Sequence, residues 1–535
     1  MSVREETVKS KTITNSIVVA LLAALAISAP LAAQERTNDE HQAQHRRYRL
    51  IDLGTFGGSA SYVNPVGNGE PYMNREGEVV GSSMTSIPSR PNGNGYPCPP
   101  AQGVFHAMVW GDDGVSDPGS LREALNCANA LAINDVGEIV GASENGLLDP
   151  ATGVIQIRAV LWNDGQIKNL GTFGGNHSFA GAINNRGQIV GFALNRIPDP
   201  FSLFDFGIGR FTSGTQTRAF LWEHGHMRDL QTLGGPDAWA TFVNEYGQVA
   251  GYSYTNSMPN CATGVPTVDP FLWTTEGGMV DLGTLGGAYG FPVGLNNRGQ
   301  VIGISGLAAD PAACLNLPNP DCHPFLWDGE KLIDLNTDTD GGNPVSANAI
   351  TDAGEILGAA CFPNGACSAY IRRDGVATAL GALPGDCVSE AFVMNSRGQI
   401  AGGSLNCGSG TIRAVLWEDG KIFDLNTLIS NNSSLFLVES NAINDRGEIA
   451  GNGFPPGCTD FSCTHAYVLI PCDDDHSDDA GCEGDSTSVA NQGNAAPVTR
   501  PADAIQGRLT PEMLAGVRAR FARRHRIPSL GTSRF

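Results

Sequence analysis

The stretch Ile183–Gly191 reads INNRGQIVG, and close variants return along the chain: INDVGEIVG from Ile133, LNNRGQVIG from Leu295, MNSRGQIAG from Met394 and INDRGEIAG from Ile443. Its glycine recurs eight times, at Gly77, Gly137, Gly187, Gly247, Gly299, Gly354, Gly398 and Gly447. In this Asn-x-x-Gly spacing the asparagine side chain holds a turn by bonding a backbone amide. The glycine takes the positive φ that closes a bulged hairpin. The apolar residues on either side read as short strands. The phrase therefore carries shape rather than chemistry, with its Ile and Val packing between neighbouring units.

Two other phrases recur in fixed order with it. One is a short apolar run: HAMVW at His106, RAVLW at Arg158, RAFLW at Arg218, DPFLW at Asp269, HPFLW at His323, SAYIR at Ser368, RAVLW at Arg413 and HAYVL at His465. The other is DLGTFGG at Asp52, NLGTFGG at Asn169, DLQTLGG at Asp229, DLGTLGG at Asp281, DLNT at Asp334, ALGAL at Ala379 and DLNTL at Asp424, with a faded copy, SDPGSL, at Ser116. In the unit from Ala180 to Leu230, AGAIN is one strand and GQIVGFA the second. After a variable loop RAFLW is the third, and His224-Gly225 turns it into a fourth, HMRDLQTL. Four antiparallel strands in roughly 45–60 residues match a propeller blade.

The ends of the repeat favour closure. RYRLIDLGTFGG, from Arg47, is a fourth strand with no strands before it, and the last unit ends at HAYVLIP with no fourth. The expected fold is all-β: a closed propeller of eight four-stranded blades, the N-terminal strand completing the last and removing both exposed edges. Seven blades is the alternative if one faded unit is misread. A short C-terminal helix follows.

HAMVW, HPFLW and HAYVL, each set beside a DLGT-like and an IN-x-x-G phrase, resemble the bacterial extracellular repeat family named HAF for its His-Ala-Phe signature. The resemblance covers about Arg47 to Pro471 and implies a secreted β-propeller, with no particular reaction. The histidine stands in only three copies (His106, His323, His465), which argues against a shared catalytic role.

Composition sets the setting. Glycine makes up 68 of 535 residues and charged residues only 16%, as expected for many short strands joined by tight turns. Lys9 and Lys11 precede an apolar run, Ser16–Ala33, so residues 1–33 read as a secretory signal peptide cut after Ala33, with a retained anchor as the competing reading. No second run reaches spanning length. Residues 34–46 are a linker, 47–471 the propeller and 472–509 an acidic, polar linker. A basic amphipathic helix is expected at 510–527, carrying Arg518, Arg520, Arg523, Arg524 and Arg526, with a tail at 528–535.

Thirteen cysteines fit an oxidising compartment. The close pairs Cys314 and Cys322, Cys361 and Cys367, Cys458 and Cys463, Cys472 and Cys482 read as loop-stapling disulfides. No CxxC appears, which argues against zinc, and Cys261 has no obvious neighbour. A net charge of −22 excludes nucleic acid as a partner.

Candidate chemistry is sparse. NTDTDGG at Asn336 resembles the opening of a calcium loop, with Asn336, Asp338 and Asp340 as ligands, although the twelfth position is Ala347 and not Glu. Trp239, on an expected innermost strand, is a candidate ring for stacking on carbohydrate. Asp237, Glu390 and Glu439 sit near innermost strands and are the carboxylates a propeller axis would gather for hydrolase or lyase chemistry. No GxSxG, HExxH or phosphate loop is present. These readings converge on a secreted scaffold that binds a polysaccharide, cell-wall component or surface protein through its stapled loops and requires no cofactor. The competing classes are a glycan-active enzyme with its site on the axis and a structural envelope protein.

Overall fold

The computed structural model describes residues 47–63, 71–88, 103–122, 125–207, 213–261, 263–309, 322–337, 343–362 and 367–472. The expected leader, the linkers at 34–46 and beyond Cys472, the basic helix, Cys314, Cys482, Asp338 and Asp340 lie outside them. The chain divides into two compact units, 1–49 with 471–486 and 50–470 with 487–535. In the first, Cys472 N–H donates to the Arg47 carbonyl at 2.8 Å. The second carries the repeated phrases.

The described residues are almost wholly β, in small antiparallel sheets taken up in chain order. The third unit is typical. Ser178–Ile183, Ile189–Pro198, Thr215–Glu223 and His226–Asp229 pair each with the next. The fourth strand is shorter than the sequence suggests. The fourth and fifth units share one sheet through a single parallel bridge, Val268 to Tyr289. The sixth unit's first strand is broken into Asn343–Pro344 and Ala349–Ile350. The last sheet is built from both ends of the repeat: Tyr48–Asp52 lies beside His465–Pro471, which pairs with Ile449–Phe454 and then Phe436–Ile443.

The repeated phrase does locally what its residues dictate. Asn184 Oδ1 accepts from the Arg186 and Gln188 amides, both at 3.0 Å. Gly187 has φ 72°, a conformation that costs any other residue. The closing glycine of the phrase has a separate reason. A Cβ on Gly191 would sit 1.9 Å from the Phe179 carbonyl oxygen, where the first strand bulges between Ala180 and Ala182. The second tight turn also behaves as read: His224 and Gly225 both have positive φ, 51° and 87°, the pair that a two-residue hairpin of matching twist requires.

The core is distributed between neighbouring sheets. Ile183, Ile189 and Phe220 of the third unit bury against Val140 and Leu161 of the second. Ala182, Val190 and Leu221 of the same unit bury against Val249 and Phe271 of the fourth. Each sheet thus has two apolar faces, and a fully buried Phe or Ile contributes about 1.5–3 kcal/mol.

The apolar run and the DLGT phrase are tied to each other. The first residue of the run bonds the acidic residue of the fourth strand: His106 to Asp117 at 2.6 Å, Arg218 to Asp229 at 3.0 Å, His323 to Asp334 at 2.9 Å, Arg413 to Asp424 at 3.3 Å and His465 to Asp52 at 2.9 Å. Histidine and arginine interchange here because either donates to a carboxylate across the strand pair. The signature histidine is a structural donor.

Candidate functional site

Every strand pair has a turn end, where the Asn-x-x-Gly hairpins lie, and a loop end, where longer connections run. At the turn end the asparagines link successive units. Nδ2 of Asn74 donates to the Asn134 carbonyl, Asn134 to Asn184, Asn184 to Asn244, Asn244 to Asn296 and Asn296 to Thr351, at 2.8–3.2 Å. Asn395 donates likewise to Asn444 at 2.9 Å. A parallel row joins the next residues: Arg75 N–H to Asp135, Asp135 to Asn185, Asn185 to Glu245, Glu245 to Asn297 and Asn297 to Asp352. From the last unit, Arg446 reaches the Glu76 carbonyl of the first. Sequence showed the turn but not this coupling, which exists only once the units stand side by side.

These hairpins enclose an open cavity of about 770 Å³. Pro71, Ile183, residues 242–245 and 293–297, Asn348, Ala349, Ile350 and Asp352 line it, drawn from the first, third, fourth, fifth and sixth units. Its wall is apolar. Its polar groups are Asn244, Glu245, Asn296, Asn297, Asn348 and Asp352.

The loop end carries the disulfides. Cys361–Cys367 and Cys458–Cys463 form as the spacing suggests, and Cys387–Cys407, 20 residues apart, adds a third. Sequence missed this third pair because its halves belong to different strands, Cys387 before the first strand of the seventh unit and Cys407 after the second. Cys127, Cys322 and Cys472 are also disulfide-bonded, and Cys261 is free and exposed. Here lies a second hollow, about 940 Å³ and open, between the loop 430–436 and the turn 454–458. It is lined by Asn426, Ser430, Asn431, Ser433, Ser434, Leu435, Phe436, Phe454, Pro455, Pro456, Gly457 and Cys458, none of them charged. Phe436 is 41% exposed. Phe454 is braced edge-on by Phe461 at 5.4 Å.

At the same end, the residue preceding a first strand reaches back to the preceding unit's loop. His177 Nδ1 accepts from the Ile157 amide, so Nε2 carries the proton and donates to Asp149 at 3.0 Å. Burial lowers the His177 pKa against the raising effect of Asp149, leaving a neutral ring on a carboxylate. One unit on, Asp237 stands where His177 did. Its oxygens accept from Leu203 and Thr217 amides at 2.5 and 2.9 Å, and its partner is Asp199. Burial, then the Asp199 charge, pushes the Asp237 carboxyl well above its ordinary range.

The residues singled out from sequence fall as follows. Asp237 is fully buried in that staple. Glu390 is buried and accepts from Asn348 Nδ2 at 2.7 Å and Ser346 Oγ at 3.2 Å. Glu439 lies on the last unit's first strand, and its carbonyl accepts from Tyr467. The first two are satisfied groups within and between sheets. Trp239 is 3% exposed, packed at 4.1 Å from Phe192 and 5.8 Å from Tyr252. It fills the space between the third and fourth units among Phe179, Phe192 and Tyr252, and is too deeply buried to offer its ring to a sugar. Asn336 sits in a single 3-10 turn with its amide on Asp334 Oδ1. Among the described residues no three His, Cys, Asp or Glu side chains group to hold a metal. No helix among them is long and apolar enough to cross a membrane. The hollows were missed because their residues are ordinary in type. The only signal for the first is that the position after each phrase asparagine varies between copies while the asparagine is kept in all but one.

No protein-family model and no curated protein matches the chain. Among solved structures it is similar to an acylaminoacyl peptidase of Pyrococcus horikoshii, at 13% identity and TM-score 0.38, over 76% of this chain and 59% of that one. A dipeptidyl peptidase 4 of Porphyromonas gingivalis gives 10% and 0.41, over 76% and 58%. An oligogalacturonate lyase in complex with manganese gives 11% and 0.31, over 80% and 96%. The chain thus spans about six-tenths of the length of the two peptidases. Likeness this distant assigns no activity to it.

Proposed function

We propose that the chain is a secreted, closed eight-bladed β-propeller of the HAF-repeat type that binds a neutral extracellular polysaccharide in the loop-end hollow beside Phe436. Closure is supported by the N-terminal strand lying in the last sheet and by Arg446 reaching across to the first unit's turn. Secretion is supported by the leader-like segment and by disulfides at the loop end.

The observation that carries the ligand class is the chemistry of the hollow. In a chain of net charge −22 it is a wide, uncharged surface of amides, hydroxyls, prolines and an exposed ring. Sugar hydroxyls exchange hydrogen bonds with amides and hydroxyls, and the C–H face of a pyranose packs on an aromatic ring. A polyanionic glycan would find no cation there. The Cys458–Cys463 bridge fixes one wall before binding, which lowers the ordering cost.

The test is a glycan array probed with the full mature chain, followed by titration of any hit. Retention of neutral polysaccharides, weakened roughly tenfold by Phe436→Ala, supports the reading. Retention only of uronate or sulfated polymers, or a variant that binds as well as the parent, contradicts it.

A further inference from the structure

We propose that the loop-end hollow is assembled by closure of the repeat: both of its walls rest on the N-terminal segment, so a ligand in the hollow and the first strand in the last sheet stabilise each other. The ligand's identity rests on the polysaccharide reading above; the assembly of the walls does not.

The two rings of the hollow, Phe436 and Phe454, stand directly opposite each other across the last unit's first two strands. Phe461 backs Phe454 and sits in the 3-10 turn Phe461–Cys463, none of whose residues is buried. A turn with no buried residue takes its place from its hydrogen bonds, and these come from the first unit. Tyr62 Oη donates to the Phe461 carbonyl, Ser59 Oγ to the Ser462 carbonyl at 3.0 Å and the Ser61 amide to the Thr464 carbonyl at 2.8 Å. Burial, then the Asp460 charge, pushes the Tyr62 phenol up to about 12, so the hydroxyl keeps its proton and its donor role at neutral pH.

The other wall, the loop 430–435, leans on the same segment. Ser434 donates to the Asp52 carboxylate, which also pairs with His465. Asn426 fixes the far end of the loop by bonding Leu437 in both directions, at 2.9 and 2.7 Å. The loop is thus anchored once after the seventh unit's fourth strand and once on the N-terminal strand. Neither Tyr62 nor Asp52 lines the hollow; both are positioning residues. A ligand that needs both walls in place binds the closed form, and by reciprocity its affinity and the docking of Tyr48–Asp52 rise together.

The experiment measures native-state hydrogen exchange in the full mature chain, alone and with cellohexaose or maltohexaose as neutral probes, and reads probe affinity by calorimetry. Tyr62→Phe removes one hydroxyl and keeps the ring. It should speed exchange across 455–463 roughly tenfold and leave the third unit's Ile189–Pro198 unchanged. Asp52→Ala should do the same to 430–435. Each variant should bind a probe roughly tenfold more weakly than the parent, and saturating probe should slow exchange at Leu50–Leu53 in the parent. If Tyr62→Phe does not fold, Ser59→Ala asks the same question. If no probe binds the parent but both walls loosen, the assembly stands and the polysaccharide reading is what fails. If a probe binds and the variants bind it as tightly, or Leu50–Leu53 exchanges equally fast with and without it, the coupling is overturned and the polysaccharide reading stands. Walls unmoved by both substitutions overturn the coupling with or without a probe.

Discussion

His465 Nδ1 lies 2.9 Å from Asp52 Oδ1, although the two residues are 413 positions apart in the chain. The same pair occurs within single units, 11 positions apart, at His106 with Asp117 and His323 with Asp334. The first and last segments of the repeat therefore meet in the geometry of an ordinary unit.

That pair gives the first prediction. Burial raises the Asp52 carboxyl, but bonds from His465 and the Gly54 amide outweigh it and hold the pKa below its ordinary value. A depressed carboxylate contributes stability that is present above the ordinary carboxylate range and lost as pH falls through the folded-state value. Asp52→Ala should cost about 1 kcal/mol at neutral pH and flatten the acid limb of the stability profile. Thermal melts across acid pH check it, and an unchanged acid limb counts against the pairing.

Asp269 is one of three departures from the cation–carboxylate pairing, and it faces Asp281. Burial, then the Asp281 charge, raises its carboxyl to about 7. The folded state therefore keeps a proton that the unfolded chain releases near pH 4, and stability should fall as pH rises from there to about 7. Asp269→Arg recreates the Arg218–Asp229 pair and should raise Tm at pH above 7 while removing that slope. Equal slopes in parent and variant would refute the assignment.

Asp199 and Asp237 make a second carboxyl pair. Asp199 Oδ1 accepts from the Phe201 amide at 2.9 Å, so an asparagine in its place keeps that bond and supplies a permanent N–H to Asp237. The raised Asp237 carboxyl loses stability with rising pH by the same sign argument. Asp199→Asn should match the parent in mild acid and exceed it in mild alkali. Urea unfolding at two pH values decides, and a variant weaker at both would contradict the raised Asp237 carboxyl.

Among the described residues the asparagine chain is broken after Thr351, and Asn444, the last of the row, gives its Nδ2 only to Glu448. Thr351 takes the asparagine's place in the sixth unit, and its Oγ1 accepts from the Glu355 amide at 3.2 Å but offers no amide to Asn395. Thr351→Asn should add the missing link and stabilise by about 0.5–1.5 kcal/mol. Asn244→Ala removes the bonds to Gln248 and to the Asn296 carbonyl, which then keeps only the Gly299 amide, and should cost about 1–3 kcal/mol. Denaturant midpoints for the two variants should move in opposite directions.

What sequence made legible was local. Asn184 and Gly187 announce their turn because the turn needs their chemistry within four residues, and the short apolar runs on either side read as strands. Cys361 with Cys367 and Cys458 with Cys463 were legible for the same reason. Contacts that depend on how units stand beside one another were not: the Asn244 link to Asn296, Cys387 with Cys407, and the aromatic neighbours that bury Trp239. The partners of Asp237 and Glu390 are equally hidden, because nothing near either carboxylate in sequence shows Thr217 or Asn348 arriving to bind it. The hollows were silent for a further reason, since each gathers ordinary amides, hydroxyls and carboxylates from distant segments.

Closure of the repeat by its own first strand is the central claim. Native-state hydrogen exchange at Leu50–Leu53 measures it most directly, since the Leu53 amide donates to the Ala466 carbonyl at 3.0 Å. Protection there should equal that of Ala466–Leu469 and be lost from both segments together on unfolding. Free exchange of Leu50–Leu53 while the last sheet stays protected would contradict closure.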